Sequence, residues 1–329
     1  MSSSVSRCIT ITSTGRHNLD AVSSERRGTL LGVAAYLSWG LFPLYWPLLE
    51  PAGAIEILCH RVVWSLAFVA LLLLVRRSVK ASGAQGTTRG LPRDRRRLRL
   101  LAVAAIVIAV NWGLYIWGVN HHHVVETSLG YFVNPLVTVA LGVLVLGERL
   151  RHAQWVAVAI AAVGVVVLTI DAGRPPWIAL TLALSFGTYG LVKAVVGVSP
   201  LEGLVVETSL LAPAALGYLL VIGATGDGTF TSHGTGHALL LAGAGPVTAL
   251  PLLAFAGAAA AVPLTRLGLM QYLTPTLQFL IGVLVRHEPL GAGRLVGFAL
   301  VWVALVVFTV DTATRHRRQL ELTAEASAA

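Results

Sequence analysis

Charged residues are scarce in this chain. They make up 12% of its 329 residues, about half of the ~25% carried by ordinary soluble domains, which excludes a freely soluble fold. Cysteine is nearly absent, and Cys8 and Cys59 cannot form a disulfide framework. Soluble-enzyme signatures are missing as well. There is no His-Glu-x-x-His, no Gly-x-Ser-x-Gly and no P-loop lysine after a glycine-rich turn, so pumping driven by nucleotide hydrolysis is disfavoured. What the chain has in quantity is apolar side chain, at 56% with a mean hydropathy of +0.77. Its 24 Lys+Arg against 15 Asp+Glu give a net charge of +9. That excess is not a nucleic-acid footprint, because it lies between apolar runs each about as long as the ~20 residues that cross a bilayer.

Ten such runs are legible: 29–49, 54–75, 98–119, 125–146, 153–170, 176–196, 203–222, 237–255, 263–285 and 292–310. Backbone groups in lipid must be satisfied internally, so runs of this length read as helices and the chain as an all-α integral membrane protein. Cytoplasmic loops accumulate Lys and Arg. With both termini inside, that side receives Arg26 and Arg27, the run from Arg76 to Arg99, Arg149, Arg151, Lys193, Arg266 and Arg315 to Arg318. Arg174, Arg286 and Arg294 fall on the other side, and Arg61 lies inside the second span. This predicts a multi-pass protein of the inner (plasma) membrane. Residues 1–27 read as a disordered cytoplasmic tail without a signal-type apolar core, and 312–329 as a second cytoplasmic tail.

The chain repeats itself. Shifted by 140 residues, Leu129–Asp171 aligns without gaps on Leu269–Asp311, with fifteen of 43 positions identical. Pro135 falls on Pro275, Glu148 on Glu288 and Asp171 on Asp311. Earlier, Ser38-Trp39-Gly40 parallels Ser185-Phe186-Gly187. The halves are 28–171 and 176–311, with five spans each. An odd number of spans inverts the second copy, and inverted repeats build secondary transporters with the cargo site near the midplane between the halves. A passive scaffold or sensor predicts a cavity-free bundle instead. A membrane-embedded enzyme needs a nucleophile and base at one depth, and no such set is legible.

Polar residues inside the spans supply the candidate site. Tyr131, Asn134 and Thr138 share one helical face, and the repeat puts Gln271, Thr274 and Gln278 at the matching registers. For Thr138 and Thr274 helix-to-helix hydrogen bonding is the expectation; for Asn134, Gln271 and Gln278 it is a cavity lining. On the second span Glu56, His60 and Trp64 lie on one face and Arg61 points about 100° away. An Arg within a span costs at least ~2.5 kcal/mol and needs a partner or water. Its repeat mate is Glu207, so the two either pair or share a cavity. Asn111 and Tyr115 share a face of the third span. Lys193 sits near the end of its span and reads equally as a snorkelling side chain. Glu126 and Arg266 read as end anchors, and Glu148 and Glu288 as caps of the helices that follow them. The run His121-His122-His123 reads as a solvated cluster, since adjacent histidines cannot all face one ion from a helix.

Several blocks resemble a known family: Ser38-Trp39-Gly40-Leu41-Phe42-Pro43-Leu44-Tyr45-Trp46, Glu56-Ile57-Leu58-Cys59-His60-Arg61, Asn111-Trp112-Gly113-Leu114-Tyr115, Ser128-Leu129-Gly130-Tyr131-Phe132-Val133-Asn134-Pro135 and Gln271-Tyr272-Leu273-Thr274-Pro275-Thr276-Leu277-Gln278. The chain is similar over about Gly28 to Asp311 to the RarD branch of the EamA-type drug/metabolite transporters, known as chloramphenicol-sensitive permeases. The resemblance implies a ten-helix inner-membrane permease built from two EamA repeats. It departs at Pro47, where the family often carries a basic residue, and it does not fix the substrate.

The resulting expectation is alternating access around a cavity lined by Trp39, His60, Arg61, Asn111, Tyr115, Asn134, Glu207, Gln271, Tyr272 and Gln278. His60 and Glu207 are the candidates to carry a coupling proton, since both titrate when partly buried. The expected partners are a small-molecule cargo and the bilayer, with no nucleic acid, cofactor or metal; a homodimer is left open.

Overall fold

The structure is a computed structural model that describes residues 25–80, 94–147, 151–197, 200–262, 267 and 270–328. Most of the expected N-terminal tail, Glu148, Arg149 and Arg266 lie outside those residues. The described chain is helical with no strand. Its helices are α1 (Glu25–Gly40 and Phe42–Leu49), α2 (Ala54–Lys80), α3 (Arg95–Asn120), α4 (Val124–Leu146), α5 (His152–Ala172), α6 (Trp177–Val196), α7 (Pro200–Thr225), α8 (Gly234–Ala259), α9 (Leu273–Val285) and α10 (Ala292–Ala328).

Seven of these, α2 to α5, α7, α8 and α10, are long and apolar enough to cross a membrane, and the two pieces of α1 together make an eighth. Shorter apolar stretches occupy Trp177–Lys193 and Leu273–Val285. Each predicted span therefore contains a helix, but two are not plain cylinders. α1 bends by 42° at Leu41, because Pro43 and Pro47 lack an N–H and start new helical pieces. α9 ends in a π turn over Ile281–Val285. The membrane-length part of α10 ends at Asp311, and the helix runs on through the expected tail as far as Ala328; α1 begins at Glu25, inside the expected N-terminal tail. α4, α5 and α6 each stop at a glycine with positive φ, Gly147, Gly173 and Gly197, the backbone conformation that a Cβ disfavours.

The packing maps onto itself when the halves are exchanged. α2 packs on α8 as α7 does on α3, and α4 packs on α6 as α9 does on α1 through Thr274 Oγ1 to the Tyr36 carbonyl. α5 and α10, α2 and α7, and α4 and α9 meet as equivalents. Two contacts between non-equivalent helices bring backbones together at glycine: a Cβ at Gly130 would strike the Ala179 carbonyl, and one at Gly245 would fall on the Trp64 backbone. Small residues allow such approach in membranes, where tails offer no hydrophobic drive between helices. The largest buried cluster, with Phe132, Phe279, Phe298 and partly buried Trp302, joins α4, α9 and α10.

At the end of the bundle where α4 and α6 begin, three carboxylates cross between the halves. Glu56 Oε1 accepts from Thr229 N at 2.7 Å and from Thr229 Oγ1 at 3.0 Å. Glu126 accepts from Ile178 N at 3.2 Å and pairs with Arg174 at 3.4 Å, the anchoring role expected of it. Glu288 accepts from Val124 N and Val125 N. It therefore caps α4 in the other half, not the helix that follows it, because the π turn brings the chain back over the start of α4. Burial pushes the Glu288 carboxyl above the ordinary carboxylate range, against the pull of the two N–H groups. Glu288→Ala leaves those N–H groups buried without an acceptor. The expected cost is about 1–3 kcal/mol, read as a fall in the detergent-solubilised melting temperature.

Candidate functional site

Between the halves lies a cavity of about 400 Å³, within the ~300–1,000 Å³ typical of small-molecule sites. Helical spacing builds its walls. Tyr131 and Asn134 from α4 face Thr274 and Gln278 from α9 and Gln271 from the turn before it, with Trp39 and Phe186 contributed by the parallel blocks of α1 and α6. Of the residues expected here, Trp39, Arg61, Tyr115, Asn134, Glu207, Gln271 and Gln278 line the cavity. Thr274 does both things, bonding to α1 while facing the cavity.

Three expected residues stand elsewhere. His60 is stacked on Phe230 with ring centroids 4.8 Å apart, and its Nδ1 accepts from Trp64 Nε1 at 3.2 Å. The loop between α7 and α8 folds back over this face of α2, and Thr229 is fastened to Glu56 there. Asn111 is fully buried behind the wall: its Nδ2 donates to the Leu182 carbonyl and Ser185 Oγ, and its Oδ1 accepts from Tyr131 OH at 3.2 Å. Asn111 thus orients a lining residue without being one. Tyr272 points into the α9–α10 packing, with its hydroxyl 3.5 Å from Thr309 Oγ1.

Arg61 is the unusual member. It is 4% exposed, yet it makes no ion pair among the described residues, and its Nε has no hydrogen-bond partner. The guanidinium lies 3.9 Å from the Trp112 ring centroid, 5.2 Å from Trp46 and 5.6 Å from Phe42. Cation–π contact of this kind offsets about 2 kcal/mol when desolvated. Of the two alternatives for Arg61 and Glu207, the structure has the second: they share the cavity and do not pair. Glu207 instead meets Lys193 Nζ at 2.9 Å and accepts from Tyr189 OH at 3.1 Å. Lys193 therefore turns into the cavity and does not snorkel, because Glu207 lies on the next helix, just across the turn at Gly197. Buried oxygens of Tyr115, Asn134 and Gln278 also lack protein partners. With Arg61 Nε, these make four buried polar atoms without a protein partner among the described residues, all on residues that line this one cavity.

The histidine run behaves as side-chain packing on the loop. His121 stacks on Trp117 at 4.6 Å, and no group of three metal-ligating side chains gathers anywhere among the described residues.

Membrane-length apolar helices in a bundle with a partly polar cavity at its centre are the architecture that a membrane transporter needs. The EamA-like transporter family matches residues 26–170. A protein RarD of Streptomyces exfoliatus is 57% identical over 93% of this chain and 96% of its own length. An uncharacterized transporter of Pseudomonas aeruginosa is 46% identical over 91% of this chain and 98% of its own. A crystal structure of a protein 18% identical in sequence shares the fold, with a TM-score of 0.53 over 85% of this chain and 97% of that one. The chain belongs to the RarD branch of the EamA-like transporter superfamily and is a multi-pass membrane transporter.

Proposed function

We propose that this protein is a secondary carrier that moves a small anionic metabolite or drug-like molecule by alternating access around the cavity between its halves. The observation that carries the reading is Arg61, a buried guanidinium with no counter-ion among the described residues, lying against a cavity of cargo size. A charge kept in that position at a cost to stability needs a use, and its planar fork suits a carboxylate or phosphate. Of the two residues considered for a coupling proton, His60 is walled off by Phe230 and Trp64, so we assign that role to Glu207. In this reading both termini and the basic α2–α3 connection face the cytoplasm.

The test is a thermal-shift screen of the purified protein against anionic, neutral and cationic metabolites and phenicols, followed by counterflow in proteoliposomes. Anionic hits should stabilise the protein and exchange across the membrane, and Glu207→Gln should make their flux indifferent to an imposed pH gradient. Binding without any counterflow would support a sensor and sink the carrier reading.

A further inference from the structure

We propose that the cavity selects a flat, apolar-bodied molecule with a single negative charge, and that Lys193 sets this rule by cancelling the charge of Glu207. The inference rests on the carrier reading above and adds to it the class of cargo.

Among the described residues, the ionised side chains lining the cavity are Arg61, Lys193 and Glu207. Arg61 and Glu207 hold repeat-equivalent positions on α2 and α7 and carry opposite signs. Left to themselves they would make the cavity neutral overall. Lys193 changes that count. Its ammonium lies 2.9 Å from Glu207 Oε1, with side-chain exposures of 13% and 2%, and Tyr189 occupies the other carboxylate oxygen. Both members of the pair belong to one half, on consecutive helices, so rocking of the halves does not itself part them, and the pair stands whenever Glu207 is ionised.

The sequence also makes room for the pair. Gly203 lies one turn before Glu207, and a Cβ there would collide with Lys193 Nζ. Glycine at 203 is thus the lane through which Lys193 reaches the carboxylate. With the pair closed, one unit of positive charge remains, on Arg61.

In a poorly solvated site that unpaired charge is relieved by one anion. A second negative charge finds no counter-ion, and a neutral molecule leaves Arg61 unpaired. The walls specify the rest of the molecule. Trp112 stacks against the guanidinium, and Trp39, Tyr115, Tyr131 and Phe186 face the same space, a lining that favours a planar aromatic body.

The experiment uses three probes of one shape, naphthalenemethanol, naphthoate and naphthalenedicarboxylate, titrated calorimetrically into detergent-purified full-length protein at mildly alkaline pH. The wild type should bind naphthoate about tenfold or more tighter than either of the others. Lys193→Met brings the count to zero and should erase the preference for naphthoate over the alcohol. Glu207→Gln raises it and should shift the preference to the dicarboxylate. The double variant Lys193→Met/Glu207→Gln restores a single positive charge without the pair and should regain the naphthoate preference, which a merely structural pair would not do. Gly203→Leu should weaken naphthoate binding as Lys193→Met does, because it blocks the lane.

Equal binding of all three probes by the wild type, or no binding of any, overturns the proposed class. Naphthoate binding that needs Arg61 but ignores the Lys193 and Glu207 variants overturns the charge rule alone. Binding that survives Arg61→Met overturns the underlying assignment of Arg61 as the anion site.

Discussion

Arg61→Met is expected to give a protein that melts at a higher temperature and has lost its cargo affinity by roughly 100-fold or more. The two effects have one origin. Arg61 is buried among Phe42, Trp46 and Trp112 without an ionic partner among the described residues. Replacing buried charged groups by apolar ones of similar volume often stabilises a protein by about 1–4 kcal/mol. Charge-assisted hydrogen bonds to a cargo contribute about 1.5–3 kcal/mol each, and a fork makes two, so their removal is worth at least two powers of ten in affinity. Arg61→Lys should retain the charge but lose the fork and the flat contact with Trp112, and it should fall in between. Melting curves and ligand titrations on the three proteins check both halves of the expectation. A structural arginine would show the opposite pattern, with a lower melting temperature and unchanged binding.

Gly245→Leu is expected to be the most damaging single change to the bundle. α8 crosses α2 so closely that a Cβ at 245 would fall on the backbone of Trp64, and backbone cannot step aside as a side-chain tip can. Overpacking of cores costs about 1–3 kcal/mol even where side chains can yield, so at least ~3 kcal/mol is expected here. This should appear as loss of a monodisperse species on size exclusion. Gly217→Leu is the control, since α7 has open space at that position. It should leave the elution profile and melting temperature unchanged.

The features legible in the sequence were those governed by helical period and by the cost of polarity in lipid. Tyr131, Asn134 and Gln271 could be placed on one cavity because spacings of three and four fix a face, and the repeat fixes the register. Arg61 stood out as a charge in an apolar run. Lys193 did not, because its distance from the helix end is compatible with snorkelling and only the turn at Gly197 brings Glu207 within reach. Gly203 carried no signal, since its role is an absence of atoms. His60 shares a face with Glu56, but the loop that returns over that face obeys no period. Asn111 reads from its spacing as a cavity lining but stands behind the wall, because its partners are a carbonyl and a hydroxyl on α6 that sequence spacing cannot anticipate. The bend of α1 and the π turn of α9 were hidden for a related reason: a span is recognised by its length, and an irregular span has the same length as a regular one.

The opposite signs of Arg61 and Glu207 have a consequence for the cycle proposed above. In a perfect inverted repeat, the state open to one side is the state open to the other turned over, and a cargo would meet the same affinity from both. Here the exchange of halves sends an arginine to a glutamate, and among the described residues Lys193 has no charged counterpart on the cavity wall. The two facing states are therefore different binding partners for the same molecule. Around a closed thermodynamic cycle, any difference in their affinities must be matched by an opposite difference in how the loaded and empty carriers divide between the two orientations. In the proposed cycle, binding therefore shifts the balance between the two orientations by the ratio of the two affinities.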